Sequence, residues 1–317
     1  MSVYTHVSAA ELTAWLANYS VGRLVACEPI KAGIENSNYF VATTQGRYVL
    51  TLFERLPAEE LPFYLDLMAH LARHGIPCPA PIADLSDRYL QTLKGKPAAL
   101  VTRLAGAWVE HPDAAACAEL GALLGRMHLA ARSYGAYLEN PRGPRWWRSA
   151  AQEVKPFMQK DQYAFLESEL AFQSEHRFPD LPRGPVHADL FRDNALFEGG
   201  RISGVIDFYF AGVECLLFDV AVCVNDWCLV DPAADVALEP ARTRALLDAY
   251  QAVRPLTGLE RAAWPAMLRA AALRFWLSRL HDLHLPRPGP MVHAHDPEHF
   301  RRVLAARVAG HDAAGVP

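Results

Sequence analysis

The stretch HADLFRDNALF, residues 187–197, decides the fold predicted for this chain. Within eight positions it gathers a histidine, two aspartates and an asparagine, followed directly by an apolar pair. Thirteen residues after Asn194, the apolar run ISGVI ends at Asp207, and the intervening FEGGRI is typical of a tight turn. We therefore expect a hairpin that brings Asp189, Asn194 and Asp207 to one edge.

These three side chains fit the needs of phosphoryl transfer. That reaction requires a carboxylate to orient the acceptor hydroxyl and take its proton, and hard oxygen ligands to hold Mg²⁺ on the phosphates. Asp189 suits the first role, and Asn194 and Asp207 suit the second, at a mutual spacing that kinase-like folds use. A His-x-Asp motif alone recurs by chance, with aspartates as turn or cap residues. The strand end at Asp207 favours the functional interpretation.

Two further residues are expected to support this motif. Asp219 lies in the apolar segment LLFDVAV, where a carboxylate is costly unless it is paired. We expect it to accept backbone N–H bonds from the turn at 187–190 and so to hold Asp189 in position. His187 is expected to brace the same turn through a hydrogen bond, because Asp189 is the better candidate for the base.

Composition and charge exclude several classes of protein. The chain is 51% hydrophobic and 21% charged, as an ordinary globular protein is, and its 317 residues favour two cores over one. The net charge of −4, with scattered basic residues, disfavours nucleic-acid binding. Charges interrupt the most apolar long segment, so no membrane span is expected. The absence of an export signal and six well-separated cysteines predict a cytoplasmic protein.

The order of elements predicts an α+β, bilobal, protein kinase-like fold. A capping box at Ser8 and Glu11 begins a first helix. Strand-like runs follow at 23–31, 37–44, 47–54, 87–93 and 97–104, with one helix before Gly75. Later helices are expected at about 116–131, 213–230, 241–252 and 259–284. We predict a small antiparallel-sheet N-lobe (1–103) that binds nucleotide, a larger helical C-lobe (104–317) for catalysis and substrate, and a ligand cleft between them.

A phosphate-binding loop is expected between the first two strands. The segment KAGIENSNYF places Gly33 before three short polar residues, Asn36, Ser37 and Asn38. Such residues turn tightly and can present N–H groups to anions. An ordinary hairpin turn is the alternative interpretation of the loop taken alone.

Thr51 departs from the protein-kinase pattern. Protein kinases carry a lysine for the α- and β-phosphates on the third strand, whereas the comparable segment here is YVLTLFE. Either Lys31, Arg47 or Arg55 supplies a cation, or backbone amides and Mg²⁺ suffice. A non-catalytic, nucleotide-binding pseudokinase is the alternative that Thr51 leaves open.

The chain resembles the homoserine kinases of the aminoglycoside-phosphotransferase-like (choline kinase-like) type. The likeness runs nearly end to end, through GIENSNYFV, YVLTLFE, LPFYLDLMAHL, HADLFRDNALF, GVIDFYFAG, FDVAVCVNDWC and ALRFWLSRL. It implies ATP- and Mg²⁺-dependent phosphorylation of the L-homoserine hydroxyl in threonine synthesis, with Asp189 as base and Asn194 and Asp207 on Mg²⁺. It also implies nucleotide contacts at 33–38 and near Arg103 and Leu104, and it makes Thr51 this family's own form.

The residues that grip the acceptor are harder to predict. Homoserine carries a carboxylate and an ammonium group, so its pocket should offer arginine or N–H donors and an acidic group. From the helical lobe we name Arg274, Arg279, Asn225 and Asp226, each of which could equally form a structural ion pair. A kinase of choline, another amino alcohol or an aminoglycoside remains an alternative, and no pattern in the sequence sets an oligomeric state.

Overall fold

The structure is a computed structural model that describes residues 4–30, 36–286 and 295–310. These residues form two compact units, the first ending at Ala105 and the second beginning at Gly106. The division lies two residues after the boundary expected between residues 103 and 104. No helix in the described ranges is long and apolar enough to cross a membrane.

The first unit combines an antiparallel sheet with two helices. Its elements in chain order are α1 (Ala9–Leu16), β1 (Leu24–Pro29), β2 (Ser37–Thr43), β3 (Arg47–Leu52), α2 (Leu61–Arg73), β4 (Gln91–Leu93) and β5 (Lys96–Thr102). The five strands among the described residues pair in the order β1-β2-β3-β5-β4. The predicted capping box of Ser8 and Glu11 begins α1. The expected strand at 87–93 is reduced to its last three residues.

The two faces of this sheet differ in burial. Strand residues alternate between faces, and Leu50 and Leu52 on β3 lie in a core that includes Leu12 of α1. Phe40 and Val49 face each other across β2 and β3 on the opposite side, where both are partly exposed. One face of the sheet is therefore a closed core, and the other keeps apolar surface accessible.

The second unit is mainly helical. Its elements in chain order are α3 (Ala114–Ala131), α4 (Pro144–Val154), α5 (Lys160–Glu175), β6 (Arg183–Val186), β7 (Ala195–Glu198), β8 (Arg201–Val205), β9 (Gly212–Cys215), α6 (Leu216–Trp227), β10 (Leu229–Asp231), β11 (Asp235–Leu238), α7 (Pro240–Val253), α8 (Gly258–His284) and α9 (Pro297–Ala309). Short ladders join β6 to β9, β7 to β8 and β10 to β11.

The expected helix at 213–230 was too long at both ends. Residues 212–215 pair with β6 and residues 229–231 pair with β11, so that the helix spans only Leu216–Trp227. Both flanks are apolar like the helix itself, and only their pairing with distant strands makes them extended. The hairpin expected from FEGGRI is confirmed as β7 and β8, and Gly199 and Gly200 both have positive φ, as its tight turn requires.

Helices α3 and α7 pack unusually closely. A Cβ atom added at Gly121 of α3 would overlap the backbone carbonyl of Leu246 on α7, so only glycine fits there. This close approach brings His128 of α3 beside Tyr250 of α7, with 2.8 Å between the ring Nδ1 and the hydroxyl oxygen. The spacing of the two helices therefore sets a buried polar contact.

Gly121→Ala is expected to lower the free energy of unfolding by about 1–3 kcal/mol, because backbone of two helices must separate to admit the methyl group. Urea unfolding followed by circular dichroism measures this. Gly135→Ala is the matched control, since a Cβ at Gly135 meets no atom within 4 Å and should change stability by less than about 0.5 kcal/mol. Equal stability of the two variants would contradict the close packing.

Candidate active site

The segment 187–189 forms a turn that the side chain of His187 braces. The Nε2 atom of His187 lies 2.9 Å from the carbonyl oxygen of Ile206, and its Nδ1 accepts the N–H of Asp189 at 3.3 Å. A carbonyl can only accept, so Nε2 carries the proton and the ring is neutral. Burial lowers the pKa of His187, which agrees with that assignment. These two contacts tie the His187 ring to the turn and to the strand end at Ile206.

The carboxylate of Asp219 binds the backbone of the same turn. Its Oδ2 accepts the N–H of His187 at 2.9 Å and Nε2–H of His128 at 3.1 Å, and its Oδ1 accepts the N–H of Ala188 at 2.8 Å. Burial opposes ionisation, yet the hydrogen bond and charge of His128 and the N–H of His187 lower the pKa of Asp219. The carboxylate thus stabilises Ala188 at φ 62°, a conformation uncommon for a residue with a Cβ.

One face of α6 supports the whole motif. Asp219, Cys223, Asp226 and Trp227 follow helical spacing and therefore point the same way. The indole N–H of Trp227 donates to the carbonyl of Leu190 at 3.0 Å, and the thiol of Cys223 approaches the same oxygen at 3.6 Å. Side chains spaced along two helical turns of α6 therefore bind successive backbone groups of the segment 187–192.

Asp226 pairs with Arg192, which argues against the substrate contact that the sequence predicted for it. Its Oδ2 accepts the backbone N–H of Arg192 at 2.9 Å and Nε–H at 3.1 Å, and its Oδ1 accepts Nη2–H at 3.3 Å. Burial raises the pKa of Asp226, and the guanidinium opposes the rise. This bidentate pair fixes the 3₁₀ turn Arg192–Asn194 on α6.

Asn194 and Asp207 lie at adjacent strand ends. The Asn194 carbonyl accepts the N–H of Ile206 at 2.9 Å, which places Asp207 next to it in the chain that returns through β8. The Nδ2 of Asn194 donates to the Asp189 carbonyl at 2.8 Å, and this orients the amide so that Oδ1 is the atom left to bind a cation. Asp207 is exposed and has φ 64°, in the left-handed region.

The donor set at these strand ends fits a magnesium ion. An amide oxygen and a carboxylate are hard oxygen ligands, and Mg²⁺ usually takes one or two protein groups and completes its shell with phosphate and water oxygens. The described part of the chain contains no group of three His, Cys, Asp or Glu side chains that would hold a metal without such help. The pair therefore fits an ion that arrives with a polyphosphate.

Arg274 contacts the expected base directly, which sequence reasoning missed. Its Nη1 lies 3.3 Å from Oδ1 of Asp189, and the side chains are 4% and 17% exposed, respectively. The guanidinium also lies over the ring of Phe275, 3.7 Å from its centroid. A guanidinium this close favours the ionised form of a carboxylate. Periodicity places Arg274 only on a buried helix, and no local signal links it to Asp189.

The other two predicted substrate residues make contacts within the helical unit. Asn225 is fully buried, donating to the Leu268 carbonyl at 2.8 Å and accepting from Arg307 at 2.9 Å, and this favours a structural role over a substrate contact. Arg279 donates to the Asp296 carbonyl at 3.2 Å, and burial lowers its pKa to about 10. A substrate contact by Arg279 stays a prediction.

In the first unit, Ser37 is engaged by the protein itself. Its hydroxyl oxygen accepts the N–H groups of Tyr4 and Thr5 at 2.8 and 2.9 Å and donates to Glu54 at 2.5 Å. Asn36 accepts the N–H of Glu54 at 3.4 Å. The Ser37 side chain therefore anchors the N-terminal segment to the sheet rather than offering its hydroxyl to a phosphate. Gly33 and Lys31 lie outside the described residues.

Thr51 and Asn38 form a polar pair on the partly exposed side of the sheet. The Thr51 hydroxyl donates to Oδ1 of Asn38 at 2.8 Å across β2 and β3. Lys96 forms an ion pair with Glu54, but Glu54 also accepts from Ser37, which pairs with Leu52 on the opposite, core face of the sheet. Lys96 is thus no substitute for the missing strand-3 lysine.

Arginines supply positive charge on that side of the sheet instead. Arg103 stacks on Phe40, with its Cζ 3.8 Å from the ring centroid, and its N–H donates to the Arg47 carbonyl at 3.1 Å. By strand alternation the Arg47 side chain shares the face of Val49. Leu104 follows Arg103 and is partly exposed. Arg55, the third cation considered, lies 6.0 Å from the ring centroid of Tyr4.

Comparison with known proteins agrees with this geometry. A family model described as the phosphotransferase enzyme family matches residues 26–256, well over half of the chain. The chain belongs to the phosphotransferase enzyme family. It is 50% identical to a homoserine kinase of Methylobacillus flagellatus, over 98% of this chain and 97% of that protein. It is 51% identical to a homoserine kinase of Burkholderia mallei, over 98% and 96% of the two chains.

Solved structures share the fold at low identity. Amicoumacin kinase hAmiN, solved with AMP-PNP, Ca²⁺ and Ami, matches with a TM-score of 0.73 and 17% identity over 96% of this phosphotransferase and 94% of that chain. The spectinomycin phosphotransferase APH(9)-Ia, solved with ADP and spectinomycin, matches with a TM-score of 0.69 and 15% identity over 96% and 99%. The predicted α+β, protein kinase-like fold is confirmed.

A buried hydrogen-bond chain in this phosphotransferase extends from Asp219 to the start of α8, and sequence reasoning missed it. Arg254 donates to the Tyr250 hydroxyl at 2.9 Å, and that hydroxyl lies 2.8 Å from His128, whose other nitrogen reaches Asp219. Arg254 also pairs with Glu260 of the α8 capping box at 2.8 Å. Tyr250, Arg254 and Glu260 are close in the chain, but nothing in local spacing connects them to His128 and Asp219.

Asp219→Asn is expected to loosen the turn. The amide replaces one accepting oxygen by a donor, and hydrogen bonds to charged groups contribute about 1.5–3 kcal/mol, so exchange at the His187 and Ala188 amides should accelerate by about 10- to 100-fold. Hydrogen exchange resolved to single amides by mass spectrometry measures this.

Asp226→Asn, on the same face of α6, is the matched control. Because Asp226 binds Arg192, that variant should accelerate exchange at residue 192 and leave 187 and 188 protected. Unchanged protection at His187 and Ala188 in Asp219→Asn would show that the carboxylate does not hold the turn.

Proposed function

We propose that this phosphotransferase moves the γ-phosphoryl group of ATP to the side-chain hydroxyl of L-homoserine, giving O-phospho-L-homoserine and ADP in threonine biosynthesis. The observation that supports it most strongly is identity of 50% or more, across 98% of the chain, to proteins named homoserine kinase. Asp189 lies on a turn beside Asn194, and Asp207 lies at the neighbouring strand end. Together these side chains have the chemistry that such a reaction needs.

Asp189 is the proposed base. The acceptor hydroxyl donates its hydrogen bond to the Asp189 carboxylate, and its proton passes there as the new bond from oxygen to the γ-phosphorus forms. The bond between that phosphorus and the β,γ-bridging oxygen breaks, and its electron pair leaves with ADP. Arg274, at 3.3 Å, keeps the carboxylate ionised and limits its orientations. Positioning of this kind accounts for much of the catalysis of phosphoryl transfer.

Asn194 and Asp207 are the proposed ligands of Mg²⁺. When bound, the ion neutralises charge on the phosphate oxygens. Asn194 contributes oxygen without a further negative charge next to the triphosphate, and the Asp189 carbonyl fixes its amide orientation. The exposure of Asp207 suits a ligand that must meet an incoming ion. The pair thus combines one neutral and one charged donor.

Residues of the first unit are the proposed nucleotide contacts. The backbone N–H groups near Asn36, Ser37 and Asn38 are suited to phosphate, whereas the partly exposed surface of Phe40 and Val49 is suited to an apolar, planar base. Arg103 and Leu104 continue that surface. Gly33, which lies outside the described residues, is also a proposed nucleotide contact. The Thr51–Asn38 pair replaces the lysine of protein kinases with a neutral contact.

The substrate assignment predicts a selective acceptor profile. With ATP and Mg²⁺, a coupled assay of ADP release should give kcat/KM for L-homoserine at least about tenfold above L-serine, choline and a panel of aminoglycosides. Homoserine differs from serine by one methylene, which shifts the hydroxyl relative to the base. A higher value for an aminoglycoside or choline would move the assignment to that substrate, and ATP binding without turnover of any acceptor would identify a pseudokinase.

Asp189→Asn is expected to lower kcat by about 100- to 10,000-fold, the range that general-base groups contribute. ATP affinity, measured by isothermal titration calorimetry, should change by less than about twofold, because no phosphate contact is removed. Asp193→Asn is the control: Asp193 is an exposed residue of the same motif and should leave kcat within about twofold. Comparable turnover by the two variants would remove Asp189 from the role of base.

A further inference from the structure

Two guanidinium groups approach one phenylalanine ring next to the proposed base. The Cζ of Arg274 lies 5.1 Å from the centroid of Phe210, and the Cζ of Arg142 lies 5.7 Å from it. Phe210 closes the 3₁₀ turn that begins directly after Asp207. Since Arg274 also contacts Asp189, one of the two positive groups lies where the acceptor hydroxyl must bind, and the ring of Phe210 links it to the other.

Aromatic rings restrict both guanidinium groups. Arg274 is buried on α8 and stacks on Phe275, whereas Arg142 is partly exposed and lies over Trp146, 4.2 Å from the ring centroid. A guanidinium held against a ring keeps its planar set of N–H donors oriented, so it loses less freedom when a carboxylate binds. The arrangement is suited to an anionic group of a ligand.

The acceptor in the proposed function has one such group. The carboxylate of L-homoserine is separated from its hydroxyl by three carbon atoms, which allows about 5 Å between the two oxygen-bearing ends. The guanidinium group of Arg274 has several N–H donors, and its Nη1 lies 3.3 Å from Oδ1 of Asp189. A single arginine can therefore contact the base and the acceptor's carboxylate at the same time.

We propose, building on the proposed function, that Arg142 and Arg274 bind the acceptor's carboxylate on either side of the contact with Phe210. Arg274 thereby couples recognition of the amino acid to the position of Asp189. Arg142 is the specificity-determining residue of the pair, because Arg274 is tied to Asp189 whereas Arg142 is partly exposed and lies over Trp146. An amino alcohol without a carboxylate loses this contact and binds weakly.

Two fragments of homoserine separate this role from a structural one. L-2-Aminobutyrate keeps the amino and carboxylate groups without the hydroxyl, and 3-aminopropan-1-ol keeps the amino and hydroxyl groups without the carboxylate. Each is measured as an inhibitor of L-homoserine phosphorylation. In Arg142→Gln, the inhibition constant of L-2-aminobutyrate should rise by about 10- to 100-fold, while that of 3-aminopropan-1-ol changes by less than about threefold.

The kinetic constants should change in the same pattern. The KM for L-homoserine in Arg142→Gln should rise with kcat within about threefold, and Arg142→Lys should recover part of the loss. Arg145→Gln is the matched control, since Arg145 lies three positions later, is 82% exposed and pairs with Glu139. It should resemble the unaltered enzyme for both fragments.

Arg274 variants test the coupling to the base. Arg274→Gln should lower kcat as well as weaken L-2-aminobutyrate, and Arg274→Lys should restore kcat by at least about tenfold, because a cation again faces Asp189. Melting temperatures identify any variant that fails to fold. If the Arg274 variants fail, the inhibition constants of Arg142→Gln alone test the carboxylate contact.

The outcomes distinguish this inference from the function on which it rests. An unaltered enzyme that does not phosphorylate L-homoserine contradicts the proposed function. An enzyme that does so, but whose Arg142→Gln variant binds both fragments as before or loses both equally, contradicts carboxylate recognition alone. Selective loss of L-2-aminobutyrate supports it.

Discussion

The buried carboxylate of Asp219 is the constraint on which the proposed catalytic turn depends. An ionised carboxylate with no solvent contact is stable only when its oxygens accept hydrogen bonds from the protein. Here two consecutive backbone N–H groups and a histidine donate those bonds. The same bonds hold Ala188 at positive φ and so determine where Asp189 projects. The stability of the core and the position of the proposed base therefore depend on the same hydrogen bonds.

Other contacts of the turn repeat this arrangement. Trp227 and Asp226 on α6 bind the Leu190 carbonyl and the Arg192 N–H. The carbonyl of Ile206 accepts a hydrogen bond from the His187 ring. Because Ile206 also donates to Asn194, the turn, the strand end proposed to bind metal and α6 are connected by hydrogen bonds through backbone atoms. A shift in one part would break bonds in the others, which keeps the proposed ligands and base in register.

The sequence predicted what depends on short spacing and left out what depends on distant contacts. The motif from His187 to Asn194 and the hairpin through Gly199 follow from residues within about 20 positions, where period and turn chemistry are informative. The apolar segment around Asp219 indicates only that its carboxylate needs donors. The Arg274–Asp189 contact spans 85 positions, and no local pattern shows that Asp226 pairs with Arg192. Such partners are selected by tertiary packing, which composition does not encode. The ends of α6 were wrong for the same reason.

Four aspartates around the turn show why residue type alone does not give a role. Asp219 is fully buried and saturated with donors, and Asp226 is buried against Arg192, so neither can offer an oxygen to a ligand without losing a contact of the fold. Asp189 is partly buried with one arginine beside it, and Asp207 is exposed. A structural carboxylate must be shielded, whereas a base and a metal ligand must be reachable. Burial therefore distinguishes these four aspartates, and it leaves Asp189 and Asp207 accessible to the proposed substrate and ion.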